Sequence, residues 1–129
     1  MKILVAIDGS TWGQRALEHV LTHRPGGEAA LDLTLIHVAT PAPPRAANAV
    51  GREIVDAYYR QEHEHALADA RARLAEAGVK AREIHEVGAP GRTIAEHAAQ
   101  GGYDLVVMGS HGQGAMMSLV MGSTVTQVL

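Results

Sequence analysis

The stretch ILVAIDGST, residues 3–11, is an apolar run that ends in an acid, a glycine and two hydroxyl residues. A continuous apolar run of this kind is typical of a strand that is buried on both faces of a sheet. Thr11 and Gln14 have the spacing of a capping box, which predicts that a helix begins directly after the turn. The chain therefore opens with a strand, a tight turn and a helix.

The same alternation continues along the chain. The sequence predicts further strands at residues 31–38, 79–88 and 103–109, and further helices at residues 52–77 and 90–100. The third strand is partly polar, so we expect it at an edge of the sheet. Alternating strands and helices predict an α/β fold with an open parallel sheet, right-handed crossovers and helices on both faces.

Two other segments complete the predicted architecture. The prolines between residues 39 and 51 predict a mobile loop. Ser123 is positioned to cap a fourth helix, which would run to residue 129. Because neither an internal repeat nor a second domain is evident, we expect a single domain over residues 1–129.

Composition excludes several classes of protein. The 129 residues are 47% hydrophobic, and the formal net charge is -3 with dispersed lysines and arginines, which argues against nucleic-acid binding. Cysteine is absent, so disulfides and thiolate chemistry are excluded. No apolar run approaches the ~18 residues of a membrane span, and the N-terminus is typical of a first strand rather than a signal peptide. We expect a cytoplasmic protein that is not associated with a membrane.

The segment MGSHGQGAMMSLVMGST, residues 108–124, combines four glycines with no lysine. Glycine lets main-chain N–H groups approach a phosphate closely, because no Cβ intervenes. Gly122 and Ser123 would lie where the last helix begins, and free N–H groups at a helix N-terminus favour an anion. A P-loop is excluded because the chain contains no Gly-Lys pair. The segment therefore predicts a phosphate site built mainly from the main chain.

Other polar residues allow more than one interpretation. Asp8 is either a helix-capping acid, a ligand-binding group or both. His111 is at least as compatible with an exposed turn as with a phosphate contact. His63 and His65 are two residues apart and so point to different sides of a helix, which favours a solvated helix face at residues 62–65 over a metal site. We therefore predict no metal site of the protein's own.

The chain resembles the universal stress protein family. Gly109-x2-Gly112-x9-Gly122-Ser123 is similar to the ATP-binding signature of one subgroup of that family, Gly-x2-Gly-x9-Gly-Ser/Thr. The segments ILVAIDGST, LIHV, VGAPGRTI and YDLVVMGSHG resemble the family in order and spacing, over essentially the whole chain. The resemblance implies an adenine-nucleotide alpha-hydrolase-like fold: three layers, with sheet order 3-2-1-4, normally followed by a fifth strand.

The resemblance also implies a ligand, ATP or possibly AMP or ADP, with Mg²⁺ on the phosphates. Ala6 and Asp8 would line the adenosine pocket, and the Asp8 carboxylate would lie near the ribose or the phosphate-bound metal. Val38 would meet the adenine through its main chain. The remaining roles imply contacts with ribose and α-phosphate for Met108, Gly109 and Gly112, and with the outer phosphates for Gly122, Ser123 and Thr124.

The family normally continues past the last helix into a fifth strand that often pairs the subunits of a homodimer. This chain ends at Leu129, so we expect it to lack that strand. A homodimer and further protein partners, whose nature the sequence does not reveal, are implied by the resemblance.

The resulting functional hypothesis is an ATP-binding stress-response protein that acts as a nucleotide-dependent switch or sensor. No general base or activated nucleophile is evident near the glycine segment, so we predict no catalytic residue and at most slow, Mg²⁺-dependent ATP cleavage. Two alternatives stay open: a weak ATP hydrolase or phosphotransferase that uses Asp8 or His111, and a nucleotide-free module for protein interaction.

Overall fold

The computed structural model describes residues 1–23, 31–109, 116–121 and 125–128. Strands and helices alternate from the first strand to the fourth, as the sequence predicts, and two further strands follow in the described residues. The strands are β1 Lys2–Ala6, β2 Asp32–Ala39, β3 Ala81–Val87, β4 Leu105–Gly109, β5 Met116–Met121 and β6 Val125–Val128. The helices are α1 Thr11–His23, α2 Pro44–Val50, α3 Arg52–Ala77 and α4 Pro90–Gln100.

The strands form one sheet in the order β3-β2-β1-β4-β5-β6. The first four strands are parallel, and β1 lies between β2 and β4, since Ile3 is opposite both Leu33 and Leu105. The predicted order 3-2-1-4 and the edge position of the third strand are confirmed. Two antiparallel strands, β5 and β6, extend the sheet past β4.

Apolar side chains cover both faces of the sheet. On one face α1 and α3 pack over β1 and β2, with Leu17, Leu35 and Leu67 all fully buried. On the other face α4 packs through Ile94 and Ala98 against Leu4 and Ile36, among others. Strand β1 contributes side chains to the apolar core on both faces of the sheet, which explains why ILVAI is continuously apolar.

Helix α3 has the predicted bounds, and its end follows from a single glycine. Gly78 has φ 69, the left-handed conformation that glycine adopts without strain, and its N–H donates to the carbonyls of Ala75 and Leu74. The N-terminal part of α3 is not buried: no residue from 52 to 62 is buried, and His63 is the first buried residue of the helix. The first eleven residues of α3 therefore extend beyond the sheet.

Two local predictions need correction. Helix α1 is capped by Ser10 rather than by Thr11: the Gly13 N–H donates to Ser10 Oγ at 3.4 Å, and Asp8 accepts hydrogen bonds that hold Ser10 in place. The predicted loop at residues 39–51 contains helix α2 instead. Pro44 occupies its first turn, where a proline needs no N–H partner, and three alanines follow.

The helix predicted from Ser123 onward is also wrong for the residues that the structure describes there. Residues 125–128 form β6, which pairs antiparallel with β5. Val125, Thr126 and Val128 are β-branched and favour a strand once a partner strand is available. Ser123 itself lies outside the described residues.

Candidate functional site

A cavity of about 350 Å³ opens at the carboxyl ends of β1, β2 and β4, on the side of the sheet that α4 covers. Its size is within the range of small-ligand pockets, and this end of a parallel sheet is where such folds bind ligands. The lining side chains are mostly apolar. They belong to Ala6, Ile7, Asp8, Gly13, Ile36, Val38, Pro90, Gly91, Ile94 and Met108.

Four of the nine residues predicted from the sequence meet at this cavity. They are Ala6, Asp8, Val38 and Met108. Gly109, next to Met108, is the last residue of β4. The remaining four lie outside the described residues: Gly112, Gly122, Ser123 and Thr124.

Partly buried apolar side chains and main-chain groups of β2 form the walls of the cavity. Ala6, Val38 and Met108 are partly buried and pack against the core cluster that contains Ile36 and Ile94. The Ile7 N–H donates to the Ile36 carbonyl at 2.9 Å, so main-chain groups of β2 point toward β1 at that position. By the two-residue alternation of a strand, the main chain of Val38 points to the same side, where β1 has already ended at Ala6. Main-chain donors and acceptors thus accompany the apolar wall.

An exposed carboxylate marks the mouth of the cavity. Asp8 follows β1 directly, and its Oδ1 accepts hydrogen bonds from the Ser10 N–H at 2.9 Å and from the Ser10 hydroxyl. A Cβ at Gly13 would approach the same Oδ1 to 3.3 Å, so glycine lets α1 begin close to the carboxylate. Asp8 therefore holds the capping residue Ser10 in place and also lines the cavity.

The start of α4 contributes a part of the site that the sequence did not predict. Pro90 and Gly91 line the cavity, and the N-cap residue Ala89 makes no side-chain hydrogen bond to the first turn. The amide N–H groups of such a turn, with the positive end of the helix dipole, favour negative charge. The signal was present in VGAPGRTI, because a turn that follows strand β3 must lie at the carboxyl edge of the sheet.

Charged side chains are rare in the described lining of the cavity. Asp8 is the sole acidic or basic side chain among the lining residues of the described structure. The same part of the chain contains no group of three His, Asp or Glu side chains arranged to hold a metal ion. No helix within the described ranges is long and apolar enough to cross a membrane.

The prediction of a solvated helix face at residues 62–65 is wrong for His63. His65 is exposed, but His63 is only 7% exposed and lies against His37 of β2 and His85 of β3. These three histidines lie on the face of the sheet that α3 covers. Val38, the neighbour of His37, faces the cavity on the other side.

Comparison with known proteins agrees with this architecture. The model of the universal stress protein family matches residues 1–129, and the chain belongs to that family. Universal stress protein YxiE of Bacillus subtilis is 30% identical over 130 residues, which cover 95% of this chain and 86% of that protein.

Two solved structures show the same fold. The structure of MJ0577, a universal stress protein of Methanocaldococcus jannaschii, is 30% identical, with a TM-score of 0.65 over 87% of this chain and 76% of that chain. A universal stress protein family protein from Arabidopsis thaliana, solved with AMP bound, is 22% identical, with a TM-score of 0.63 over 89% of this chain and 80% of that chain.

Proposed function

We propose that this protein binds an adenine nucleotide in the cavity at the carboxyl ends of β1, β2 and β4, and acts in the cytoplasm as a nucleotide-dependent switch or sensor in a stress response. One observation carries the proposal. Four residues assigned to a nucleotide site from sequence, which lie as far apart in the chain as Ala6 and Met108, line one cavity.

The lining suggests how the nucleotide lies. The adenine ring packs between the apolar side chains of Ala6, Val38 and Met108, and its polar edge meets the main chain of Val38. Asp8, at the mouth, accepts a hydrogen bond from a ribose hydroxyl or binds Mg²⁺ on the phosphates. By the family resemblance, Met108, Gly109 and Gly112 would contact the ribose and α-phosphate, and Gly122, Ser123 and Thr124 the outer phosphates.

Two further observations support an adenine nucleotide as the ligand. A protein with the same fold was solved with AMP bound. No basic side chain lines the cavity in the described part of the chain, which is consistent with phosphate binding by glycine main-chain groups and a metal rather than by lysine.

Among the lining residues that the structure describes, only Asp8 could act as a general base. We infer that the nucleotide serves as a ligand and is hydrolysed slowly at most. The proposal includes the homodimer that the family resemblance implies, which sedimentation or light scattering measures directly.

Calorimetric titration with ATP, ADP and AMP, with and without Mg²⁺, tests the proposal. We expect saturable binding, and we expect Asp8→Asn to weaken ATP–Mg²⁺ binding by roughly tenfold or more, because charge-assisted contacts contribute about 1.5–3 kcal/mol. AMP, with fewer phosphates for the metal, is affected less.

Asp32→Asn is the matched control, since Asp32 begins β2 at the opposite end of the sheet. The purified protein, once denatured, is also examined for a released adenine nucleotide by absorbance and chromatography. Absence of both released nucleotide and binding heat contradicts the proposal.

A further inference from the structure

Three histidines meet where α3 contacts the sheet. His37 of β2 and His85 of β3 are opposite each other in the strand register, and His63 of α3 contacts both. The Nδ1 atoms of His37 and His63 are 2.7 Å apart, and both side chains are 7% exposed. The rings of His63 and His85 are stacked, with centroids 4.8 Å apart and an interplanar angle of 15°.

The stacking argues against a shared metal ion. Ring nitrogen lone pairs lie in the ring plane, so the nearly parallel rings of His63 and His85 cannot both direct a lone pair at one point between them. The short distance between the two Nδ1 atoms is instead that of a hydrogen bond.

Whether two imidazoles can share a hydrogen bond depends on how many protons the pair carries. When both rings are neutral, one Nδ1–H of the His37–His63 pair donates to the other Nδ1. One added proton leaves this bond intact, because a single Nδ1 lone pair remains to accept it. A second added proton removes the last acceptor and places two positive charges side by side. The pair therefore tolerates one positive charge but not two.

Burial already opposes protonation of the pair. Loss of hydration lowers the pKa of His37, and the nearby His63 lowers it further. Burial likewise lowers the pKa of His63, with a further contribution from His85. Carboxylates act in the opposite direction on one or both rings: Asp8 after β1, Glu62 and Glu64 on α3, and Glu86 on β3.

Several of these neighbouring charges are themselves paired. Arg71 of α3 forms ion pairs with Glu64 and with Glu83 of β3. Glu83 also contacts His85, and Glu86 contacts His97 of α4 at 2.6 Å. Burial has the largest effect on the pKa of His37 and on the pKa of His63, and both pKa values are lowered.

Because the three histidines lie at the base of an exposed helical segment, their protonation affects how that segment is attached. His63 is the first buried residue of α3, so it marks the base of a projecting segment that consists of α2 and residues 52–62, here called the α2–α3 arm. The part of α3 that belongs to the arm, residues 52–62, is about 16 Å long. The hydroxyl of Tyr59 accepts a hydrogen bond from the Ala42 N–H at 2.7 Å, which ties the arm to the segment that follows β2.

We propose that His37, His63 and His85 form an acid-sensitive clasp: entry of a second proton into the His37–His63 pair breaks their hydrogen bond and loosens α3 at the base of the α2–α3 arm. The clasp lies on the face opposite the cavity and does not require that a nucleotide be bound.

The direction of the pH effect follows from proton counting. The pKa values of His37 and His63 are lowered in the folded state, so below the unfolded value near 6.5 the unfolded chain binds more protons. The folding stability that depends on these histidines is therefore fully present above about pH 6.5. It falls as the pH decreases toward their folded-state pKa values. In that window each histidine lowers the folding equilibrium constant by up to about tenfold per pH unit.

Urea unfolding from pH 7.5 to pH 5 measures this slope on the intact chain. His37→Gln and His63→Gln keep a polar side chain that does not titrate, and we expect each to make the slope shallower. His65→Gln is the matched control, because His65 is exposed on the same helix two residues away; we expect it to retain the wild-type slope. A wild-type slope in both cluster variants overturns the proposal.

NMR of the wild-type protein keeps the test decisive if a variant fails to fold. We expect the imidazole signals of His37 and His63 to titrate below pH 6.5, and the amide signals of residues 52–62 to shift together with the second protonation. Titration of both rings at or above pH 6.5, or arm amides that do not respond between pH 7.5 and 5, overturns the proposal.

Discussion

Two adjacent residues of β2 serve opposite faces of the sheet. The side chain of Val38 lines the cavity on the α4 side, whereas His37 lies beneath α3 and bonds to His63. The cavity face is apolar with one carboxylate at its mouth, and the α3 face holds a buried polar cluster within an apolar core. Strand β2 thus contributes to a ligand pocket and to a proton-sensitive contact. The two lie on opposite faces of the sheet, because successive side chains of a strand point to opposite faces.

The largest effect is expected from the apolar core beside the clasp. Leu67 is fully buried one turn after His63 on α3. We expect Leu67→Ala to reduce the free energy of unfolding by about 2–5 kcal/mol, because it removes buried methyl groups and leaves a cavity. Urea unfolding at pH 7.5 measures this. Such a loss would show that apolar packing, rather than the histidine pair, holds the main part of α3.

Ile54→Ala is the matched control for that experiment. Ile54 is on the same helix but 60% exposed within the α2–α3 arm, so its truncation is expected to stay within about 0.5 kcal/mol of wild type. Equal losses at the two positions would contradict the division of α3 into a packed part and a projecting arm.

An intermediate effect is expected on the cavity face. Ala6→Leu places a larger apolar side chain in the cavity without a new polar group. We expect AMP affinity to fall at least ~10-fold, equivalent to ~1.4 kcal/mol, while the pH dependence of unfolding stays unchanged. Calorimetry and urea unfolding read the two outcomes separately.

The control for Ala6→Leu is Ala72→Leu, since Ala72 is exposed on α3. Unchanged AMP binding in Ala6→Leu would show that the cavity is not the AMP site. An altered pH dependence of unfolding would show that the two faces of the sheet are not independent.

The smallest effect is expected at the edge strand. The hydrogen bonds from Arg71 hold the pKa of the Glu83 carboxyl at about 2. Because this value is below the unfolded value near 4.3, the associated stability is present above about pH 5 and is lost as the pH falls toward 2. Glu83→Gln is expected to flatten the unfolding profile in that acidic window alone.

Glu96→Gln, at an exposed position of α4, serves as the control. If Glu83→Gln instead changed the slope between pH 7.5 and 5, the ion pair rather than the histidines would account for acid sensitivity near neutrality.

Four of the ten lining residues that the structure describes could be predicted from the sequence. A buried apolar run fixes each strand, and the residue after a strand in a parallel sheet must lie at the carboxyl edge. The position of Asp8 follows from this rule, whereas Ala6, Val38 and Met108 lie within strands and were predicted from the family resemblance. Pro90 and Gly91 come after β3 and obey the same rule, but neither has a side chain whose chemistry indicates a ligand.

The clasp could not be predicted in this way. His37, His63 and His85 come from three different elements, and nothing in the sequence around His63 distinguishes it from the exposed His65. Their meeting depends on the angle at which α3 crosses β2 and β3. Residues 125–128 pose a similar problem, because their helical start signal was weaker than the β-branched preference for pairing with β5.

The central claim is that the cavity between β1, β2 and α4 binds an adenine nucleotide, and amide NMR during an AMP titration tests it most directly. We predict saturable shifts at Ala6, Val38 and Gly91, with the amides of Ile54 and Tyr58 on the α2–α3 arm unchanged. No shift at high AMP concentration, or shifts confined to the arm, would contradict the claim.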